Sequence, residues 1–371
     1  MKNVFIFLLG SVVLLSSCNK NQGKISMTYQ KGTAVYANIQ DIRATPLVAP
    51  VRNIENPGKI YVGDAFLLIG EEGKGIHVFD NSNPSNPVNT NFIQLPYSKE
   101  FYVLDNVVYA ESQYDLVKVD LANLYAPTLI DRLEYAFSEP LTNEKGEVLV
   151  GFNYELTTDS YKMNSPEAEA LRDSYYLYYD YNQNMIPMSS VPSSFAGSSN
   201  KSNSGGTLNK IAVSKGHVYV LGGEKLHCID NSVSGMSFVS SKYVQRDLET
   251  IYAEGDHLFI GTQTSMIIMD VANPSSPNRI STYQHPTSCD PVYPYGNFAF
   301  VTLRTADFTG CSGDENSLEI LDISDRHNPD LIRSIDMNSP YGMSMIDKRL
   351  FVGEGVNGLS VFDASDPKKL E

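Results

Sequence analysis

The sequence predicts an all-β fold, and three observations support that prediction. The composition, with 26 Gly, 19 Pro, 23 Tyr and no Trp in 371 residues, suits many short strands and turns. An apolar segment ending in Asp recurs along the chain, at Asp80, Asp120, Asp180, Asp230, Asp270, Asp322 and Asp363. The intervals of 40, 60, 50, 40, 52 and 41 residues fit a repeat of four short strands, which is the size of a propeller blade. We therefore expect a seven-bladed β-propeller of four-stranded blades, with six or eight blades as alternatives.

Each unit repeats the same internal order of strands and turns. A first strand meets a tight turn such as Gly63-Asp64 or Gly255-Asp256, whose residues tolerate the positive φ of a hairpin. A second strand follows, and the third strand ends at the repeated Asp. An Asp-Pro turn, clearest at 80–87 and 270–277, then leads to an outer strand. We interpret the Asp as an acceptor for backbone amides of this turn rather than as a metal ligand, because it recurs in every unit.

The repeated third strand also resembles a known motif. Two of its copies are residues 116–120 (Leu-Val-Lys-Val-Asp) and 318–322 (Leu-Glu-Ile-Leu-Asp). They are similar to the LVIVD repeat, which is found in bacterial β-propeller lipoproteins, and the similarity covers roughly residues 45–371. The copy at 176–180 departs from the motif. The resemblance implies that residues 45–371 form the propeller of an exported protein.

The N-terminus has the pattern of a signal peptide over residues 1–17, in which Lys2 precedes an apolar run too short to span a membrane. Residues 15–18 (Leu-Ser-Ser-Cys) resemble the bacterial lipobox, which implies cleavage before Cys18 and attachment of lipid to that residue. The alternative is an ordinary secretory signal that ends near a cysteine. Residues 18–44 would then be a lipidated tether, with room for an extra strand at 34–42.

The same segment bears on location. Position 19 is Asn rather than the Asp that resembles an inner-membrane retention signal, which favours the outer membrane. Residues 19–26 lack the acidic run that resembles a surface-export signal, so we favour the periplasmic face over the cell surface. Losing Lys2 with the signal peptide takes the net charge from −15 to −16, so we expect the lipid alone to hold the protein on the membrane.

The chain has no cluster of Lys and Arg that would neutralise phosphates, so nucleic acid is not an expected partner. We expect the protein to be a monomer.

The last unit poses a separate problem, because only eight residues follow Asp363, too few for a full outer strand. Residues 46–54 align with the segment that follows Asn328 and supplies the preceding outer strand. We expect residues 46–54 to complete the last blade and close the ring.

Three segments exceed the plain repeat, at 157–173, 190–206 and 304–317. In a four-stranded blade, the loops between second and third strands share one face with the connections between blades, so all three segments would extend the same face. We call it the loop-rich face and predict that it binds the partner. Tyr154 and Tyr161 are candidate residues there for stacking on sugar rings.

The cysteines after the signal peptide divide into two groups. Cys289 and Cys311 belong to the first strand's start and the second-to-third loop of one blade, so we expect them to form a disulfide, which an exported protein allows. Cys228 lies within a third strand and is expected to be a buried free thiol.

Charged residues at the starts of first strands make the candidate site, and charged residues in the adjoining loops extend it. The first set is Asp290, Glu249, Lys99 and Glu100, and the second is Glu71, Glu354 and Arg304.

The G-x-G-x-x-G match at 353–358 precedes a strand rather than a helix, so it predicts a hairpin and not a dinucleotide site. We expect no catalytic residue, cofactor or metal, and a binding or scaffold module for a protein or glycan. The alternative is a carbohydrate-active enzyme with central carboxylates.

Overall fold

The computed structural model describes residues 23–173, 176–180, 182–186, 209–232, 235–286, 291–304 and 316–370. In these residues the strands form seven sheets, which we name A to G in chain order. No helix in the same ranges is long and apolar enough to cross a membrane. The fold is therefore all-β, which confirms the prediction from the repeat.

The described chain begins with β1 (Lys24–Ala37) and α1 (Ile39–Arg43). Sheet A contains β2 (Val48–Ala49), β3 (Pro57–Val62), β4 (Phe66–Glu71), β5 (Gly75–Asp80) and β6 (Val88–Gln94). Sheet B contains β7 (Phe101–Leu104), β8 (Val107–Ser112), β9 (Asp115–Asp120) and β10 (Thr128–Leu133).

Sheet C departs from this pattern. It contains β11 (Val148–Lys162) and β12 (Tyr176–Tyr179), which are joined through α2 (Pro166–Asp173), and its middle strand is β1. The N-terminal strand runs antiparallel to β11 along nearly its whole length and parallel to β12. Residues 24–37 are therefore the centre of a sheet, where the sequence led us to expect a tether with an extra strand at 34–42.

Sheets D to G return to the repeat. Sheet D contains β13 (Ile211–Ser214), β14 (His217–Gly222), β15 (Lys225–Ser232) and β16 (Gly235–Tyr243). Sheet E contains β17 (Leu248–Glu254), β18 (His257–Thr262), β19 (Ser265–Asp270) and β20 (Asn278–Gln284). Sheet F contains β21 (Val292–Tyr295), β22 (Phe298–Leu303), β23 (Ser317–Asp322) and β24 (Asp330–Asp336), and sheet G contains β25 (Met343–Ile346), β26 (Arg349–Gly353) and β27 (Leu359–Asp363).

The repeated Asp caps the turn after the third strand. Its side chain accepts a hydrogen bond from the backbone amide two residues on, at 2.8 Å for Asp120, Asp270 and Asp363. This is the local hydrogen bond that Asp offers a turn in place of further strand pairing. The interpretation of the repeated Asp as a structural residue is thus confirmed.

Apolar clusters pack the sheets against one another in succession. They join A to B, B to D, D to E, E to F and F to G. At the junction of B and D, the backbone amide of Met236 donates a hydrogen bond to the Asp131 carboxylate. Sheets B and D therefore touch directly, and sheet C, which carries Asp180, stands outside this succession of six sheets. The copy that departs from the motif is not a blade between them, so the described chain forms a succession of six sheets, the number predicted from the sequence as one alternative to seven.

The expected ring closure is also corrected. Val48 and Ala49 pair with Ile93 and Phe92 of β6, so β2 extends sheet A instead of completing sheet G. The physical reason is that the outer edge of β6 takes up this segment, since the Gln94 amide also donates to the Leu47 carbonyl at 2.7 Å.

The outward faces of the first and last sheets of the succession stay exposed. On β3 of sheet A, Ile60 is 54% and Val62 69% exposed, and on β27 of sheet G, Leu359 is 63% and Val361 51% exposed. Equivalent apolar faces elsewhere are buried between sheets. Sheets A and G thus do not bury these side chains against each other in the described part of the chain.

Candidate functional site

The first strands of sheets B, D, E and F lie side by side around a common axis. β13 lies beside β7 and β17, and β17 lies beside β21. Tyrosines at one repeat position line this centre, and the rings of Tyr252 and Tyr293 are 4.9 Å apart between centroids. Burial raises the pKa of Tyr102, with nearby Tyr61 adding to the effect. The inner strands therefore form an aromatic wall around the axis.

Charged and polar side chains gather at the loop-rich end of this wall. We call them the axial charge cluster and define it as Lys59, Lys99, Glu100, Glu111, Asn209 and Lys210. They come from sheets A and B and from the start of sheet D. All six are partly exposed.

The backbone holds the cluster in place. The Glu111 amide donates to the Glu100 carbonyl at 2.9 Å, and the Leu221 amide donates to the Lys210 carbonyl at the same distance. Lys59 crosses between sheets, since its Nζ donates to the Phe101 carbonyl at 2.7 Å and to Oδ1 of Asn209. The side chain of Lys59 thus links the inner strands of sheets A, B and D.

The repeat itself shows that these charges are unusual. One repeat position lies directly before a first-strand residue that is buried in sheets B, D, E, F and G. In sheets A, B and D this position holds Lys59, Glu100 and Lys210. In sheets E, F and G it holds Thr250, Pro291 and Gly342. At this repeat position the charge is therefore confined to the three neighbouring sheets A, B and D. A repeat that only had to fold would not need charged residues here.

Glu111 departs from the repeat in a second way. The pairing of β4, β18 and β26 with their third strands places Gly70, Gly261 and Gly353 at the same position. A Cβ on Gly70 would lie 3.1 Å from Cε1 of Phe101 and 3.4 Å from the Lys59 carbonyl oxygen, so this position adjoins the inner strands. In sheet B it carries a carboxylate.

Burial shifts the ionisation of the cluster. It raises the pKa of Glu100 to about 7, even though Lys59 opposes the shift. Burial also raises the pKa of Glu111, against the opposing charges of Lys99 and Lys210, and lowers the pKa of Lys59. With three lysines and two glutamates, the cluster favours polar ligand groups and carries an excess of positive charge.

The structure brings some of the predicted residues into this cluster and leaves others near it. Lys99 and Glu100 belong to it. Glu249 lies in β17 beside Thr250, close to the start of an inner strand. The guanidinium of Arg304 lies over the ring of Tyr341, 4.2 Å from its centroid, just before β25. These last two residues flank the axis on the side where the cluster has no charge.

Glu71 has a structural role in the sheet. Its buried carboxylate accepts hydrogen bonds from Nζ of Lys74 at 2.8 Å and pairs with Nε2 of His77 at 2.8 Å. These bonds lower the pKa of Glu71 against the effect of burial, which raises it. Nε of Arg52 lies 3.8 Å from the carboxylate, so the partners described for Glu71 belong to sheet A and to the segment that leads into β3.

Glu354 occupies the corresponding position in sheet G. It accepts hydrogen bonds from the Ser360 hydroxyl and from the Asn338 backbone amide, the latter at 2.9 Å. The Ser360 hydrogen bond is the main cause of a lowered pKa of Glu354. The Glu354 side chain thus links the segment that precedes β25 to the hairpin between the second and third strands of sheet G, as Glu71 does in sheet A.

The two predicted tyrosines belong to sheet C and lie outside the axial charge cluster. Tyr154 packs with Tyr176 and Tyr178, and burial raises its pKa. The Tyr161 hydroxyl donates to the Tyr29 hydroxyl at 2.7 Å, and burial raises the pKa of Tyr161 to about 12. Both phenols are thus engaged within the sheet.

Other predicted residues fall outside the described ranges. These are Cys18, Asp290 and the expected disulfide partners Cys289 and Cys311, together with segment 190–206 and most of 304–317. Cys228 is described and is a buried free thiol, which confirms that prediction. In the described part of the chain, no group of three His, Cys, Asp or Glu side chains is placed to hold a metal ion.

Four members of the cluster were not foreseen, namely Lys59, Glu111, Asn209 and Lys210. A signal for Glu111 is present in the sequence, because it stands where three of the other five second strands have Gly. Asn209 follows an insertion whose length hides its place in the repeat.

Three segments of the chain match the family model of the LVIVD repeat, at residues 58–91, 245–285 and 290–337. Among solved structures, a protein from Lactobacillus plantarum is similar over 94% of this chain and 95% of its own, with a TM-score of 0.54 and 12% identity. The Pan2 WD40 domain of Neurospora crassa is similar over 85% of this chain and 78% of its own, with a TM-score of 0.51 and 11% identity. At these identities the similarity shows the fold alone. No curated protein matches the chain.

Proposed function

From the premise that this chain is a β-propeller built from LVIVD repeats, we propose that it is a binding module for a protein or glycan partner in the bacterial cell envelope. The partner docks on the loop-rich face. The axial charge cluster at the centre of that face recognises the polar groups of the partner.

The observation that carries this proposal is that charge occurs at one repeat position in three neighbouring sheets and not in the other three. Lys59, Glu100 and Lys210 occupy one repeat position in three neighbouring sheets, while the equivalent residues of the other three sheets are uncharged. These side chains keep partial exposure, but withdrawing charge even partly from water is costly, and each such ion needs compensating partners. Propeller packing does not require this cost at the axis, so a ligand is the simplest reason for it.

The surrounding loops support the same face. Segment 157–173 belongs to sheet C, which attaches next to the β8–β9 hairpin, where the Tyr114 hydroxyl donates to the Leu149 carbonyl at 2.5 Å. That hairpin joins second and third strands and so belongs to the loop-rich face. The added sheet therefore stands beside the face that carries the cluster.

The envelope location rests on the N-terminal sequence. We propose that Cys18 carries lipid after removal of residues 1–17, and that the protein sits at the periplasmic face of the outer membrane. The resemblance of residues 15–18 to the lipobox supports the lipid on Cys18. The LVIVD repeat supports the envelope location, because that repeat is found in bacterial lipoproteins. Mass measurement of the mature N-terminal peptide tests the lipid.

Crosslinking in the native envelope, followed by identification of the captured partners, tests the binding face. Lys210→Gln and Glu111→Gln each remove one charge from the cluster without changing side-chain size greatly. Lys215→Gln is the matched control, because Lys215 lies on the hairpin between β13 and β14 at the opposite face and pairs with Asp256. We expect both cluster variants to lose the partner and the control to keep it. Equal capture by all three would refute the assignment of the face.

One observation keeps the enzyme alternative in view. Glu100, with its pKa raised to about 7, is able to hold or give up a proton at neutral pH, and Glu111 supplies a second carboxyl in the same cluster. If a captured glycan is cleaved by the wild type and not by Glu100→Gln, the site is catalytic. If it binds without turnover in both, the protein is a binding module.

A further inference from the structure

The end of sheet C farthest from the propeller has a distinctive surface. We call it the tip and define it as Lys24, Ile25, Lys162, Met163 and Arg172. All five side chains are exposed. The backbone amide of Met163 donates to the Gly23 carbonyl at 3.0 Å, so the strand end and the β11–α2 turn form one continuous surface.

Two like charges face each other at the tip. Lys24 of β1 pairs directly with Lys162 of β11 in the antiparallel register. Like charges at directly opposed positions destabilise a sheet. Neither lysine forms a salt bridge with another described residue, and a bound anion would remove the repulsion.

Further features add to this basic surface. Arg172 lies in the last turn of α2 and donates to the Met163 carbonyl at 3.2 Å, which holds the guanidinium over the β11–α2 turn. Glu167 and Glu169 lie in the first turn of this helix, away from Arg172, and Asp173 is its last residue. Met163 is 54% exposed beside these cations. Basic residues next to an exposed apolar side chain suit the interface of an anionic bilayer.

The position of the proposed lipid supplies the second argument. Cys18 precedes Gly23 by five residues, so the chain between them reaches at most about 18 Å. The strand β1 then runs for 14 residues, or about 45 Å, away from the tip toward the propeller. A lipid on Cys18 would therefore hold the tip, and not the propeller, against the membrane.

We propose that the tip of sheet C is a contact surface for the headgroups of an anionic phospholipid bilayer. Lys24, Lys162 and Arg172 bind lipid phosphates, and Met163 lies at the level of the headgroups. The inference rests on the proposed lipid anchor. It adds a local contact of the basic tip to the expectation that the lipid alone holds this acidic chain, and it gives sheet C a role as the spacer between membrane and propeller.

The test uses the mature, lipidated protein in vesicles of phosphatidylethanolamine and phosphatidylglycerol, in vesicles of phosphatidylcholine, and in detergent. The rate of lysine acetylation is measured residue by residue. We expect Lys24 and Lys162 to react about fivefold more slowly in the anionic vesicles than in the other two media. Lys145 and Lys215 are the internal controls. Lys145 precedes β11 at the opposite end of sheet C from the tip, and Lys215 lies on the β13–β14 hairpin of the propeller. Equal rates for the tip lysines in all three media would overturn the proposal.

A second measurement separates headgroup binding from simple closeness to the membrane. Oxidation of Met163 by peroxide is followed in the wild type and in the triple variant Lys24→Ser, Lys162→Ser, Arg172→Ser. We expect anionic vesicles to protect Met163 from oxidation in the wild type. We also expect the unlipidated triple variant to bind these vesicles with about 100-fold lower affinity than the unlipidated wild type. Unchanged protection and affinity in the variant would contradict the role of the cations.

The outcomes also distinguish this proposal from the proposed function. If mass measurement finds no lipid on the N-terminal peptide, the proposed lipid anchor is wrong. The binding of the unlipidated chain to vesicles is then the direct measurement of the tip. Loss of partner capture in the axial variants, with tip protection unchanged, would show that the two surfaces act separately.

Discussion

Arg43 binds Asp115 through two parallel hydrogen bonds, from Nε to Oδ2 at 2.8 Å and from Nη2 to Oδ1 at 2.9 Å. Arg43 ends the helix that follows the middle strand of sheet C, and Asp115 begins the third strand of sheet B. The Asp115 side chain is fully buried and also accepts hydrogen bonds from Arg132 Nη1 and the Tyr135 amide. This pair therefore fixes the base of sheet C to the propeller.

Replacing Arg43 by Ala should loosen that attachment. The change leaves the buried Asp115 carboxylate with Arg132 as its remaining charged partner, so we expect a loss of about 2 kcal/mol in the free energy of unfolding. Arg43→Lys should lose less, since it keeps the charge but not the paired geometry. Denaturant unfolding of the three proteins measures this. If Arg43→Ala is as stable as the wild type, the pair does not hold the sheet.

Glu100 should make stability depend on pH in a defined direction. Burial raises its pKa from the ordinary 4.5 to about 7, so the folded protein keeps a proton that the unfolded chain releases. The contribution of Glu100 to stability is therefore full below about pH 4.5, falls as the pH rises to about 7, and is constant above it. Glu100→Gln cannot ionise and should escape this fall.

The measurement is the thermal midpoint of the wild type and Glu100→Gln between about pH 5 and 8. Lys59, Lys99, Lys210 and Glu111 face Glu100 in both proteins. We expect the variant's midpoint, relative to the wild type, to rise as the pH rises. A difference that stays constant over this range would show that Glu100 ionises normally.

Gly32 should tolerate no larger side chain, because two tyrosine rings lie against it. A Cβ at Gly32 would come within 3.0 Å of Cδ1 of Tyr178 and 3.1 Å of Cε1 of Tyr154. Gly32→Val should displace these rings and cost about 2 kcal/mol. Gly151→Val in the same sheet is the matched control, because nothing lies within 4 Å of its Cβ position. Unfolding midpoints should fall for the first variant only, and equal midpoints would argue against this packing.

The exposed face of sheet G should accept a charge. Val361 is 51% exposed on β27, so Val361→Lys should change the free energy of unfolding by less than about 0.5 kcal/mol. Val352 of the same sheet is fully buried, and Val352→Ala should cost about 2 kcal/mol. Chemical denaturation compares the two. A large cost for Val361→Lys would mean that sheets A and G pack together in solution.

Local signals in the sequence were enough for the units of the propeller. The third strand, its Asp and the turn that follows are contiguous in the chain, so their pattern predicts the hydrogen bonds that Asp120 and Asp270 form. The place of each sheet is a different matter. Sheet C depends on β1 pairing with residues more than 100 positions later, and no local pattern in residues 24–37 encodes that partner.

The candidate site divides in the same way. Lys99 and Glu100 were recognised because they stand at the start of a first strand, where propellers gather functional groups. Lys59 and Lys210 occupy the equivalent position, but their role emerges only when sheets A, B and D are seen to meet at the axis. Glu71 and Glu354 looked equally eligible from sequence, and only their hydrogen-bond partners show that they serve the sheets.

The central position of β1 in its sheet has a consequence for any shortened form of the protein. A fragment that starts at residue 45, where the repeats begin, would contain every unit of the propeller but would remove the strand between β11 and β12. Two rows of backbone amides and carbonyls would then be bare, and such edges recruit strands from other chains. Aggregation of that fragment would reflect the cut edge of sheet C and would reveal nothing about the propeller's own tendency to associate.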